Sequence, residues 1–495
     1  MNPEKEAFFD TMEAQYLALT YDDVRVRTRH NRAEPLPEEY DLSSMFSTNV
    51  PLKTPILSAA MTSVTGPDMA IAMGKEGGLG VIHARMSIDE QRKAVRKVKL
   101  DTNALIEDPR TANENESLSD ILKRCEDKGY DFRTFPVVNN ENRFVGLITQ
   151  SQFKFNKERM SVPIKELMVP DSEVLSESAS TTIDKAYRLM VENSVQTIPI
   201  VDAGKRVTGM YLFSDVERIY HEHGKYNVDK VTGQLLVAAA VYTSDDVYER
   251  VAELRKYIDV AVVDTADGDA YHVFKILERL KHENEGLDIV VGNISEGESA
   301  YELASAGADG IKVGQGPGSI CSTRREIGIG MPQVTAVWNC YKALRDKFPN
   351  IPVCADGGIS EHGDIPIAFA AGANSVMMGM MLAGTTESPN PIMQRPDGSL
   401  YKEYWGMGSP KELAKDPSRY ASGKRIPIPE GVESEVHYEG DLKDVLGLCI
   451  GALEKSMRYA KSRNLADHRA RTRLIRITNA GLRESHPHSV KVVTR

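Results

Sequence analysis

Gly310-Ile-Lys-Val313 runs directly into Gly314-Gln-Gly-Pro-Gly-Ser-Ile-Cys321-Ser-Thr-Arg324. A short apolar strand thus ends in a glycine-rich loop with a cysteine at its far end. Glycines let backbone amides approach an anion closely, Ser319 adds a hydroxyl, and Cys321 stands where a nucleophile could work. By itself the pattern carries little. A tight turn before an inert cysteine has the same letters, and the spacing is not the dinucleotide-binding G-x-G-x-x-G. Its weight comes from its neighbours, because strands ending in polar or glycine-rich loops recur along the chain.

Strand patterns fall at 55–59, 79–83, 235–241, 260–264, 288–292, 310–313, 352–355 and 374–379. Most are followed by an amphipathic stretch, such as 245–256, 270–281 or 297–306. Alternation of this kind, with this strand count, predicts an α/β fold of the (β/α)8 TIM-barrel type rather than an open sheet. Such barrels gather their chemistry at the carboxyl ends of the strands. Those ends carry Ser58, His83, Ala240, Asp264, Gly292-Asn293, the Gly314–Cys321 loop, Asp356-Gly357-Gly358 and Gly379. Singly, Asp264 reads as a helix cap and Gly357-Gly358 as a turn. Jointly they read as one site.

Between the second and third strands lies far more chain than a βα unit needs. Phe135-Pro-Val-Val-Asn139 with Phe144-Val-Gly-Leu-Ile-Thr149 is echoed by Ile198-Pro-Ile-Val-Asp202 with Arg206-Val-Thr-Gly-Met-Tyr211. The helical patterns before them, 117–128 and 182–193, repeat as well. The repeat resembles a pair of cystathionine-β-synthase (CBS) motifs, a Bateman module inserted at residues 101–222, with the barrel on residues 1–100 and 223–495. After the eighth strand, residues 385–440 are rich in Pro, Gly, Ser and charge, with little periodicity before a helical pattern at 441–462. That stretch is expected to be a docking, mobile lid.

Composition sets the outer bounds. A chain of 495 residues exceeds one small core, and a net charge of −10 disfavours broad nucleic-acid binding. No apolar run reaches membrane-span length, and Met1-Asn-Pro-Glu-Lys-Glu6 has no signal-peptide pattern. Cys125, Cys321, Cys340, Cys354 and Cys449 form no C-x-x-C and imply neither a metal nor a disulfide framework. The expectation is a cytoplasmic protein without membrane or specific nucleic-acid partners.

Taken in order, several of these stretches resemble the inosine-5′-monophosphate (IMP) dehydrogenase / GMP reductase family. They are Leu19-Thr-Tyr-Asp-Asp23, Ser58-Ala-Ala-Met61, Gly316-Pro-Gly-Ser-Ile-Cys321 and Ala355-Asp-Gly-Gly-Ile359. Leu382-Ala-Gly384, Gly406-Met-Gly-Ser409, Arg419-Tyr420 and Glu484-Ser-His486 complete the set. The resemblance implies NAD-dependent oxidation of IMP to xanthosine monophosphate in guanine nucleotide synthesis, through a covalent adduct on Cys321. It implies that Ser58, Met61, Ser319, Asp356, Gly358, Gly379, Tyr404, Gly406, Met407, Gly408 and Glu430 contact IMP. Asp264, Asn293, Gly314 and Gly316 would face NAD. Water would be activated by Arg419 with Tyr420, or by a relay through Thr323 and Glu430. Carbonyls of Gly316, Gly318 and Cys321, with Glu484, Ser485 and His486 from a neighbouring chain, would hold K+ in a homotetramer, an octamer being the further assembly left open.

The sequence departs from the family pattern at Thr62-Ser63, Met380 and Trp405, and it adds Asp267 and Asp269 beside Asp264. The added acids should disfavour the 2′-phosphate of NADP. In the repeat, the first unit keeps Thr149 but has Gln152, and the second keeps Asp215 but has Leu212. Adenine- or guanine-nucleotide binding there is expected to be weak. Two rival readings remain: GMP reductase, which shares the barrel, cysteine loop and Thr323, and a weakly catalytic nucleotide sensor.

Overall fold

The computed structural model describes residues 2–30, 36–128, 132–222, 225–415 and 428–490. The chain divides into two compact units. The first comprises Met1–Lys99, Lys225–Asn227 and Leu236–Arg495; the second comprises Leu100–Gly224 and Val228–Leu235.

In the first unit, eight parallel strands close into a barrel. In chain order they are β1 (Ile56–Ser58), β2 (Leu79–Ile82), β3 (Ala238–Val241), β4 (Val260–Asp264), β5 (Asp288–Ile294), β6 (Gly310–Val313), β7 (Val353–Asp356) and β8 (Ser375–Met378). The pairing order runs β3-β4-β5-β6-β7-β8-β1-β2 and returns to β3. All eight correspond to strands expected from the sequence. Helices α1 (Pro67–Lys75), α2 (Ile88–Asp101), α3 (Val247–Leu254), α4 (Tyr271–Glu283), α5 (Gly297–Ser305), α6 (Gln333–Leu344), α7 (Asp364–Ala371) and α8 (Leu442–Ala460) follow the strands in turn.

Parallel strands covered by helices are buried on both faces, which is why they read as unbroken apolar runs. Alternate residues still separate the two faces. Leu57, Leu79, Val81, Ala238, Ala240, Val260, Val262, Val290, Cys354 and Met377 pack together as one core. Continuing that parity towards the carboxyl ends brings Asp264 after Val262, Asp356 after Cys354, and Lys312 on β6 to the same interior.

The second unit carries two small sheets. One orders Val169–Pro170, Phe144–Ile148, Phe135–Val138 and Ala112–Asn113; the other orders Thr197–Val201, Val207–Leu212 and Leu105–Ile106. Each holds one hairpin of the sequence repeat, and each hairpin has a register shift at its end, at Val137/Val138 and at Ile200/Val201. The turns match too: Asn142 and Lys205 both take left-handed φ, at 62° and 60°. Each half has its own apolar core, around Phe135 and Ile121 in one and Ile198 and Met190 in the other.

In its described parts the 385–440 stretch carries regular structure that its weak periodicity does not show. Met393–Gln394, Leu400–Trp405 and Glu433–His437 form an antiparallel sheet. Its central strand buries Lys402 and Tyr404 on one face while Glu403 is exposed on the other. The Lys402 ammonium donates to the carbonyls of Thr385 at 2.8 Å and Ser388 at 2.9 Å. A buried lysine at an inward position hides the strand from any reading based on apolar alternation.

Candidate active site

A cavity of about 590 Å³ opens at the carboxyl ends of the barrel strands. Its wall includes Cys321, Thr323, Glu430, Asp264, Asn293 and Asp356, together with Met61, Gly314, Gly316, Gly318, Gly379, Tyr404, Gly406, Met407 and Gly408. These are residues the sequence singles out from eight separate stretches of the chain. Ser58 is buried at the end of β1 and its hydroxyl has no hydrogen-bond partner among the described residues. Ser58, Ser319 and Gly358 lie outside the wall, although their immediate neighbours Ala59, Gly318 and Gly357 belong to it. Glu484, Ser485 and His486 are exposed at the end of the helix Asn479–Ser485 and take no part in the cavity. Arg419 and Tyr420 fall outside the described residues.

The cysteine is set apart by exposure. Cys125, Cys340, Cys354 and Cys449 are buried, whereas Cys321 is only half-buried. Burial pushes the thiols of Cys354 and Cys449 up to about 12, which makes them poor nucleophiles at neutral pH. Cys321 Sγ lies 3.1 Å from Thr323 Oγ1. The Cys321 N–H donates to the Gly318 carbonyl at 2.9 Å, closing the loop. The returning end of the 385–440 stretch pins it from the other side: Ser322 N–H donates to the Glu430 carbonyl at 2.9 Å, and Val432 N–H to the Ile320 carbonyl at 3.0 Å. Glu430 is therefore held beside Cys321 and Thr323 by backbone pairing.

Gly314 shows why the loop opens with glycine. Its φ is +150°, and a Cβ there would sit 2.1 Å from the Asp356 carbonyl oxygen. The absence of a side chain lets the end of β6 lie against the end of β7. Gly379 does the same at β8, where a Cβ would come within 2.7 Å of the Tyr404 hydroxyl. That phenol is raised above its ordinary range chiefly by burial, so it remains a neutral donor.

The polar floor centres on a residue that sequence reading passes over. Lys312 is 1% exposed, and its ammonium donates to Asp264 at 2.9 Å, to Asp356 at 2.7 Å and to the Asn293 side-chain oxygen. Asn293 in turn donates to Asp356 at 2.9 Å and to the Gly314 carbonyl at 2.7 Å. One buried cation between two carboxylates offsets half of their charge, and the amide fixes their geometry. The signal was present: a lysine inside a four-residue apolar strand, at the interior parity, one residue before Val313 and the glycine loop. The cavity wall also carries the acids Asp264, Asp267, Asp269 and Glu296. Burial, with Glu298 nearby, raises the Glu296 carboxyl above the usual range.

The arrangement offers a thiol with a threonine hydroxyl beside it and carboxylates at Asp264, Asp356 and Glu430 around one cavity. Comparison with known proteins gives the family of the chain. Residues 18–488 match the model of the IMP dehydrogenase / GMP reductase domain. Inosine-5′-monophosphate dehydrogenase of Bifidobacterium longum is 39% identical over 97% of this chain and 89% of its own. That of Bacillus subtilis is 37% identical over 96% of both. Among solved structures, a cysteine-to-alanine GMP reductase of Trypanosoma brucei with guanosine 5′-monophosphate superposes with a TM-score of 0.73. It is 34% identical over 97% of this chain and 100% of that one. With a shared domain model, near-complete coverage and a barrel-mouth cysteine in its loop, the chain belongs to the IMP dehydrogenase / GMP reductase family.

Proposed function

We propose that this protein is an IMP dehydrogenase, an oxidoreductase that converts IMP, NAD+ and water to xanthosine monophosphate, NADH and a proton. The observation that carries this is the half-buried Cys321, 3.1 Å from Thr323, in a cavity walled by Asp264, Asp356 and Glu430. The purine C2 carbon does not release hydride readily until a nucleophile has added to it. The Cys321 thiolate forms the S–C2 bond, and NAD+ takes up the C2 hydride. Water then adds at C2, the S–C2 bond breaks, and the thiolate is restored. Asp356 would accept from the ribose hydroxyls, and Ser319, Gly358 and Gly379 would surround the phosphate. Thr323 with Glu430, or Arg419 with Tyr420, would take the proton from water. Free guanidinium holds its proton to above about pH 12, so the Thr323–Glu430 route asks less of its surroundings.

The acids Asp264, Asp267, Asp269 and Glu296 favour NAD over NADP by repelling a 2′-phosphate. K+ is proposed for the Gly316, Gly318 and Cys321 carbonyls, with the partner's Glu484, Ser485 and His486 completing the site in a homotetramer. The Gly318 carbonyl already accepts from Cys321 but keeps a second lone pair, so the donor set suits a hard monovalent cation. Replacing K+ with Na+ should raise hydrogen exchange in the loop as well as lower activity. The second unit is proposed as a CBS pair with weak nucleotide affinity, and the protein as cytoplasmic. Among the described residues no helix is long and apolar enough to cross a membrane.

The GMP reductase structures among the relatives, with Met380 after Gly379, keep the reductase as the second reading. Absorbance of the nicotinamide with IMP plus NAD+, then with GMP plus NADPH, decides. NADH formation together with an IMP-derived mass on Cys321 is expected; NADPH consumption with GMP alone would overturn the proposal.

A further inference from the structure

Thr62 and Trp405, two positions at which the sequence departs from the family pattern, meet at one buried carboxylate. Glu412, on the short helix Pro410–Leu413, is fully buried. Its Oε1 accepts from Trp405 Nε1 at 3.0 Å, Thr62 Oγ1 at 3.1 Å and Lys415 Nζ at 3.1 Å. Its Oε2 pairs with Arg85 Nε at 3.2 Å, where the Arg85 side chain is 4% exposed. Trp405 is bound twice over, since its indole also donates to Thr62 Oγ1 at 2.9 Å while Ser63 Oγ donates to its carbonyl at 3.1 Å.

Each segment that Glu412 grips leads directly to the cavity. Thr62 follows Met61, which lines it, and Trp405 stands between Tyr404 and Gly406, which line it too. Arg85 Nη2 reaches the Met407 carbonyl at 3.4 Å. The grip continues to the proposed water-activating residue, because the Glu430 N–H donates to the Gly408 carbonyl at 3.1 Å. Burial alone would raise the Glu412 carboxyl, but Lys415, Trp405 and Arg85 outweigh it and hold it below the usual range. It is an anion, and the buried Arg85 depends on it.

We propose that Glu412 is a positioning residue for the nucleotide. Through Thr62, Trp405 and Arg85 it fixes Met61, Tyr404 and the Gly406–Gly408 backbone as one rigid wall against which the purine nucleotide is held. The Thr62 and Trp405 departures are then a matched pair serving this carboxylate. The inference deepens the proposed activity and rests on it for the identity of the ligand.

The test compares Glu412→Gln, Glu412→Asp and Thr62→Val with the wild type, reading KM for IMP, kcat and the emission change of Trp405 on IMP titration. Of the two tryptophans, only Trp405 adjoins the site, and Trp405→Phe provides the blank. Glutamine puts an N–H donor against Arg85 and removes the charge. Loss of hydrogen bonds to a charged group at this scale predicts a rise in KM of about tenfold, with kcat changed less than about twofold. Aspartate should recover part of the loss, and the Trp405 response should shift in parallel. A purely structural role would lower melting temperature and kcat while leaving KM and the emission response intact, and that result overturns the inference. If the glutamine variant does not fold, Thr62→Val must still raise KM by about two- to threefold; an unchanged KM there overturns it equally. A wild type whose Trp405 responds to GMP but not to IMP fails the proposed activity instead, and the same shift is then read with GMP.

Discussion

The barrel mouth and the second unit both place polar residues at the ends of short strands, yet they satisfy them in opposite ways. At the mouth, Asp264, Asn293, Lys312 and Asp356 come from four different strands or strand ends and pair with one another across the barrel. In the second unit, Thr149 caps its own helix by accepting from Ser151 N–H, and donates to Gln152 three residues on. Closing a sheet forces distant residues to face one another, and their leftover hydrogen-bonding capacity points into a shared cavity. A hairpin followed by a helix satisfies its polar groups locally and leaves little over. Residue types alone would not separate the two regions; the sequence distance between partners does.

The comparison predicts that changes at the mouth are severe. Cys321→Ala should abolish NADH formation and leave no nucleotide mass on the protein, since no other half-exposed cysteine is available. Residual turnover with a covalent adduct would break the assignment. Arg419→Ala should differ in kind. If it serves only the water step, a first burst of NADH should be followed by a stall of about a hundred- to ten-thousandfold in turnover. Rapid mixing with intact-protein mass spectrometry separates the cases, and absence of both burst and adduct would mean that hydride transfer needs Arg419 as well.

Lys312→Met sharpens the contrast from the side of stability. It leaves the buried Asp264 and the half-buried Asp356 without their cation, which should cost about 3–5 kcal/mol in urea unfolding. A loss below about 1 kcal/mol would mean that the carboxylates find other partners. A gentler effect attaches to His83, held at about 4 chiefly by burial, with Glu412 opposing and Arg85 adding to it. The unfolded imidazole protonates near 6.5, so below that pH the unfolded state binds the extra proton. Stability is thus fully present above pH 6.5 and is lost as pH falls towards 4. His468 is lowered to about 4 as well, again by burial, so His83→Asn should make the pH dependence shallower without removing it. An unchanged slope would place the titration elsewhere.

What the sequence made legible follows the same division. Eight apolar runs, most followed by an amphipathic stretch, showed the barrel, because strands buried on both faces advertise themselves. The cysteine loop and Asp356-Gly357-Gly358 were legible because glycine is needed where backbones touch. Lys312, Lys402 and Glu412 were not, and for one reason. Each is a charged residue whose burial depends on partners outside its own strand or helix, such as Asp264 for Lys312, Thr385 for Lys402 or Thr62 for Glu412. Local patterning reads such residues as surface.

The smallest expected effect is removal of the second unit. Its chain leaves the barrel after Lys99, returns for Lys225–Asn227, and departs again over Val228–Leu235. Asn227 belongs to the barrel: its side chain donates to the Pro51 carbonyl at 3.0 Å and the Gly78 carbonyl at 3.2 Å. An excision faithful to the structure therefore replaces residues 100–224 by one short Gly/Ser linker and 228–235 by another, and keeps Lys225–Asn227. Loop closure costs grow only slowly with length, so shortening this connection carries no large entropic penalty. Because the mouth residues satisfy one another within the barrel, turnover should stay within about twofold, near the scatter expected of changes away from a site. Adenine and guanine nucleotides should alter the intact protein only weakly, and the excised protein not at all. A barrel that folds but loses turnover would show that the contrast drawn between the two regions is wrong, and that the second unit shapes the mouth.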